Sequence, residues 1–105
     1  MQVNTFHKKL TEPEKELFDD YLKKKLPKFE KLITHFDKDQ VKLSVTIEKF
    51  SNKDAYKVEM VMDLPKAADK ALFASEDSRD LRKAVDFAQD KLMEQVKKAI
   101  EKLRQ

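Results

Sequence analysis

Two histidines, three close carboxylate pairs and several clusters of lysine are the side chains of this sequence with chemistry to offer. His7 and His35 lie far apart, with no cysteine anywhere and no carboxylate at a recognisable metal-ligand spacing. Solvated or strand-end imidazoles are the simpler reading, so no metal site is expected. Asp19-Asp20, Asp37/Asp39 and Glu76-Asp77 are the carboxylate pairs. Paired carboxylates do acid–base work only where burial or crowding drives their pKa values apart. These pairs fall on helix surfaces or in turns, where solvated charge is the usual role. Ser75 and Ser78 have no marked base partner. No catalytic residue and no cofactor is expected, and the chain is not read as an enzyme.

The cations are better organised. Lys23-Lys24-Lys25, Lys28 and Lys31 crowd around Pro27, with only Glu30 to offset them. At about 100° per helical residue, Lys24, Lys28 and Lys31 share one flank of an apolar stripe. Lys25 falls nearer the middle of that stripe, so it must snorkel or meet a partner. Later in the chain Lys91, Lys98 and Lys102 line up beside a second stripe, with Gln95 among them. Lys97 and Arg104 take the opposite flank, and Arg79, Arg82 and Lys83 crowd the N-terminal end. One account is a solvated helix face with i,i+4 pairs such as Glu94–Lys98, each contributing about 0.2–0.5 kcal/mol. The other is a phosphate-facing surface made by two helices side by side, each supplying a lysine row. A flexible ammonium needs no defined base geometry, and counterion release provides the affinity. Such a surface reads shape and backbone more than base sequence.

The elements that must carry these rows can be read from periodicity. Gln2 to Leu10 is a short strand rich in β-branched and aromatic residues. Thr11-Glu12-Pro13-Glu14 is a capping-box start with proline in the first turn. Leu17, Phe18, Tyr21, Leu22, Leu26, Phe29, Leu32 and Ile33 follow at helical spacing, giving a helix from about 12 to 33 that Pro27 should kink. Asp37-Lys38-Asp39 is a turn. Val41, Leu43, Val45 and Ile47 then alternate with polar residues as a half-buried strand. Ser51-Asn52-Lys53-Asp54 turns the chain into a second alternating strand, Tyr56 to Leu64, ended by Pro65. In that strand Met60 and Met62 are core residues. A polar loop at 65–70 leads to a shorter strand, Lys70 to Ser75. Asp77 or Ser78 then caps a last helix, with Leu81, Val85, Ala88, Leu92, Val96, Ala99 and Leu103 as its stripe. Phe87 and Ile100 lie off that stripe and are expected to widen the buried face.

The order β-α-β-β-β-α predicts an α+β fold: a two-layer sandwich with two helices on one face of a four-stranded mixed sheet, like double-stranded RNA-binding domains. The helical crossover makes the first two strands parallel if they are adjacent, and the other sheet face is left open.

Composition removes other classes. The chain has 105 residues, of which 40% are hydrophobic and 41% charged, so residues 1–105 form one domain with a modest core. Cys 0 excludes disulfides and thiolate chemistry, and Gly 0 excludes the glycine-dependent phosphate cradles. No apolar run approaches the ~18 residues of a membrane span, and the N-terminus lacks a signal peptide's apolar core. A soluble, cytoplasmic protein is expected. The net charge of +3 permits an acidic partner without demanding one.

Specific motifs sharpen this. Leu10-Thr11-Glu12-Pro13, Leu17-Phe18 and the segment from Tyr21 to Leu32 resemble the first helix of the ribosome hibernation promoting factors. That family has a Thr-capped helix with a Lys-Leu-x-Lys-Leu-x-Lys type segment. Val41 to Val45 and Tyr56 to Leu64 are similar to its central strands. Ala74 to Asp86 resembles its acidic turn into the last helix, and Lys91 to Lys98 the basic segment there. The resemblance implies a stress-response protein that binds the small ribosomal subunit as a monomer, contacts 16S-type ribosomal RNA and occludes the mRNA and tRNA sites. It implies Lys25, Lys28, Lys31, Lys91, Lys97 and Lys98 as RNA-facing positions, to which the flank pattern adds Lys24, Arg82 and Lys102. Missing glycines, no acidic tail and no second domain after Gln105 depart from many relatives, so dimerisation of ribosomes is not expected from this chain alone. The competing reading is a protein-interaction module using the open sheet face or the Phe87/Ile100 edge.

Overall fold

The computed structural model describes residues 1–34, 36–65 and 71–103. His35, Lys70, Arg104 and most of the 65–70 loop lie outside the described residues. The chain runs β1 (Gln2–Lys8), α1 (Glu12–Leu32), a 3₁₀ turn at Lys38–Gln40, β2 (Lys42–Lys49), β3 (Tyr56–Asp63), β4 (Leu72–Ser78) and α2 (Leu81–Leu103). The strands lie in the order β1-β2-β3-β4. β1 pairs parallel with β2, Phe6 opposite Thr46, and the other pairs are antiparallel, with Met60 opposite Val45 and Ala74. This is the α+β sandwich that the element order predicts.

One face of the sheet and the inner stripes of both helices make a single core. Phe18, Phe29 and Ile33 meet Leu43, Val45, Ile47, Val58, Met60 and Met62 there, with Val85, Leu92 and Val96 from α2. Both methionines are therefore core residues, as their alternation predicts. α1 runs unbroken through Pro27. An interior proline costs about 3 kcal/mol, and the fully buried Phe29 and Ile33 just beyond it supply packing that offsets that cost.

The start of α1 is fixed as the capping box requires. The Glu14 amide donates to Thr11 Oγ1 at 3.4 Å, and the Thr11 amide donates back to Glu14 Oε1 at 2.9 Å. Glu14 also accepts from the Tyr56 hydroxyl and lies 3.4 Å from Lys49 Nζ, tying the helix start to the β2–β3 hairpin. The Tyr56 hydroxyl, helped by the Thr11 amide, holds the Glu14 carboxyl at about 2 instead of its ordinary 4.5. The same hydrogen bond, with burial, pushes Tyr56 up to about 12. A depressed carboxylate stabilises the fold fully above its unfolded value and loses that contribution as pH falls through the folded one. Stability should therefore drop between pH 4.5 and about 2. Thermal melts of Glu14→Gln and the parent chain should differ near neutral pH and converge across that window.

The structure corrects three expectations. Among the described residues β4 begins at Leu72, and it runs to Ser78, three residues past the expected end at Ser75. Val58 pairs with Glu76 and Lys57 with Asp77, so tertiary pairing overrides the weak strand preference of Ser-Glu-Asp-Ser. The acidic turn is consequently strand, and neither Asp77 nor Ser78 caps α2. Asp80 does: its Oδ1 accepts from the Arg82 amide at 2.9 Å, and its carbonyl accepts from the Ala84 amide. Finally, Ile100 is buried but Phe87 is 46% exposed, because its phase on α2 lies with Lys83 and Asp90 on the solvent side. Leu17 and Leu103 also reach the surface at the ends of their stripes.

Candidate functional site

Both helices run antiparallel to β1 and lie side by side, joined by a polar seam. The Tyr21 hydroxyl reaches both carboxylate oxygens of Asp86 at 2.8 Å, and Lys25 Nζ lies 3.2 Å from Asp86 Oδ1. Gln89 Nε2 donates to the Lys25 carbonyl at 2.9 Å. The Asp86 contact raises the pKa of Lys25, and burial followed by the Asp86 bond raises that of Tyr21. Lys25 also lies 5.0 Å over the Tyr21 ring. It thus snorkels into the seam, where Asp86 neutralises it. Nothing local in the sequence points to this seam, since Tyr21 and Asp86 are 65 residues apart. Only Gln89, a buried polar residue inside an apolar stripe, carries a signal. Asp86→Ala would leave the Tyr21 hydroxyl without its acceptor and should cost about 1–3 kcal/mol, read as a lower urea midpoint at unchanged slope.

The seam fixes which flank of each helix faces the other. Lys24, Lys28 and Lys31 lie on the solvent side of α1 toward α2, all exposed. On α2, Arg82, Asp86, Gln89, Met93 and Lys97 share the flank toward α1, by their 4-3-4-4 spacing. Lys91, Lys98 and Lys102 occupy the opposite flank, beside β4. Lys91 Nζ is 2.5 Å from Glu76 Oε1, and Gln95 pairs with the edge of β4. The expected rows therefore exist, but they do not form one sheet of charge. Lys24, Lys28, Lys31, Arg82 and Lys97 border the interhelical groove, whereas Lys91, Lys98 and Lys102 follow the outer edge. Among the described residues only Lys25 and Lys91 of these nine have a carboxylate within 4.0 Å. Among the described residues Glu94 and Lys98 form no ion pair within 4.0 Å.

His7 Nε2 lies 2.8 Å from Asp19 Oδ1, with its ring edge-on to Phe18, a packing role at the β1–α1 contact. No group of three possible metal ligands occurs among the described residues, and none of their helices is long and apolar enough to cross a membrane.

A family model described as sigma 54 modulation protein / S30EA ribosomal protein matches residues 13–104. The chain belongs to this family. These are the ribosome hibernation promoting factors that the motifs resemble, so it is a ribosome-associated modulation protein. Solved structures of similar fold include the N-terminal domain of protein Y from Thermus thermophilus, with TM-score 0.68 and 25% identity, covering 93% of this chain and 98% of that one. A ribosomal subunit interface protein from Coxiella burnetii shares the fold at TM-score 0.58 and 20% identity, covering 93% and 96%. No curated protein matches significantly. Membership of the S30EA family gives the basic groove a ribosome-associated context that charge alone could not.

Proposed function

We propose that this S30EA family member silences idle ribosomes by occupancy, with no bond made or broken. In this reading residues 1–105 act as one cytoplasmic, monomeric unit that binds the small subunit, where its cations grip 16S-type ribosomal RNA and its bulk excludes mRNA and tRNAs. The observation that carries the reading is the interhelical groove. Lys24, Lys28, Lys31, Arg82 and Lys97 border it, exposed and without a carboxylate within 4.0 Å among the described residues. Free ammonium groups release counterions on meeting phosphate, whereas Lys25 and Lys91 must first give up Asp86 and Glu76. The groove cations are the primary grip, and Lys98 and Lys102 on the outer flank are a second point of contact.

Co-sedimentation with purified small subunits on sucrose gradients tests this. Between 50 and 200 mM salt, five phosphate contacts, one for each groove cation, should weaken binding roughly 500-fold. Binding that ignores salt would instead favour the open sheet face, where Phe6 and Phe73 are 53% and 52% exposed.

A further inference from the structure

The sheet face turned away from the helices carries its charge in a regular order. Strand alternation sets Lys8, Glu48, Lys57 and Asp77 in one cross-strand row, reading plus, minus, plus, minus from β1 to β4. At the other end of the strands Lys42 of β2 stands beside Asp63 of β3. Neighbours of opposite charge across strands can satisfy each other, and some groups here are satisfied: Lys57 Nζ lies 2.8 Å from Glu59, and Glu48 lies 4.0 Å from Lys9. Lys8, Lys42, Asp63 and Asp77 have no group of opposite charge within 4.0 Å among the described residues. All four are exposed. Phe6 and Phe73 stand on the same face at its two edges, each more than half exposed.

We propose that this face pairs with the same face of a second copy, about a twofold axis running along the strands between β2 and β3. Such an axis lays β1 over β4 and β2 over β3, so each cross-strand row meets itself in reverse order. A row of four alternating charges is then complementary to itself. Lys8 meets Asp77 of the second copy, Glu48 meets Lys57, and Lys42 meets Asp63. The four charges without a partner in the single chain each acquire one. Phe6 arrives two residues along the strand from Phe73 of the second copy, about 7 Å away, within the range at which aromatic rings pair. A twofold axis across the strands does less: it sets Lys42 against Glu48 and Asp63 against Lys57, and leaves Lys8 and Asp77 unmatched. An RNA strand fits poorly, because its phosphates would cross Glu48, Glu59, Asp63 and Asp77. Four strands of seven or eight residues offer roughly 450 Å² on each copy, about 900 Å² in all. Stable complexes bury about 1,200–2,000 Å². The dimer is therefore transient, and the dilute chain is a monomer. The helix cations lie on the opposite side of the sheet, so the inference does not rest on the ribosomal reading.

Sedimentation equilibrium of the intact chain should show dimer growing in between about 0.1 and 1 mM protein. Lys42→Asp and Asp63→Lys each reverse two contacts across the twofold and should each weaken self-association about tenfold. Their melting curves should match the parent's, since both side chains are exposed and unpaired within 4.0 Å among the described residues. Mixing the two variants is decisive. In the mixed pair residues 42 and 63 again face opposite charges, so an equimolar mixture should dimerise like the parent although neither variant does so alone. A mixture no better than its components overturns the proposal, because the axis across the strands would leave like charges facing. A parent chain that stays monomeric at about 1 mM, or a dimer indifferent to both substitutions, also overturns it. Lys28→Glu/Lys31→Glu/Lys97→Glu should leave the dimer intact even where ribosome binding is lost. Loss of the dimer in that variant would put the contact on the helices and overturn the proposal as well.

Discussion

On the proposed reading, reversing Lys24, Lys28, Lys31 and Lys97 to glutamate together should abolish ribosome binding at physiological salt. All four are exposed, and none has a carboxylate within 4.0 Å among the described residues, so the substitution breaks no native ion pair. The fold should survive, because surface changes away from packed features usually stay within about 0.5 kcal/mol each. The effect on binding is of another order. Each lost phosphate contact flattens the salt response by about 0.9 in log–log slope on a duplex. Four lost contacts therefore erase roughly 100-fold of the change between 50 and 200 mM salt, and the new carboxylates add repulsion. Lys91→Glu is the informative comparison. Lys91 is already held by Glu76 on the outer flank, so its reversal should weaken binding less than that of any single groove lysine. Gradient profiles of the quadruple variant and Lys91→Glu at both salts decide the matter. Unchanged binding of the quadruple variant would remove the groove from the mechanism.

Most of the fold that positions these cations is visible in the sequence because its signals are local and strong. The alternation at Val41–Ile47 and Tyr56–Leu64, the Thr11–Glu14 box and the stripe from Leu81 to Ala99 each specify one element at one period. β4 was harder to read, since Ser75, Glu76, Asp77 and Ser78 have turn-like chemistry. They become strand only because β3 offers them a partner at Tyr56–Glu59. The lysine flanks follow from helical phase alone. Which flank meets the other helix does not, because that depends on contacts between Tyr21, Lys25, Asp86 and Gln89 across more than sixty residues. The lysine row that looked most regular, Lys91, Lys98 and Lys102, therefore lies away from the groove. Lys97, which helical phase sets on the opposite flank, borders it.

Phe29→Ala should be among the most damaging single changes to both stability and ribosome binding. Phe29 is fully buried, and truncating such a side chain costs about 3–5 kcal/mol. That is a large share of the 5–15 kcal/mol typical of a whole domain. Its place in α1 makes the loss more than a cavity. Pro27 already removes one helical hydrogen bond two residues earlier, so the last turns of α1 depend on the anchoring of Phe29 and Ile33 against the sheet. Lys28 and Lys31 ride on those turns. Without Phe29 the amides of residues 28–32 should lose exchange protection before those of residues 15–22, and the lysines should no longer present a fixed spacing to phosphate. Leu22→Ala provides the contrast, since it opens a cavity upstream of the proline. It should lower the urea midpoint while leaving the order of exchange along α1 unchanged. Equal protection at both ends of α1 in Phe29→Ala would show that Pro27 does not weaken the basic half, and that the groove is held by the Tyr21–Asp86 seam instead.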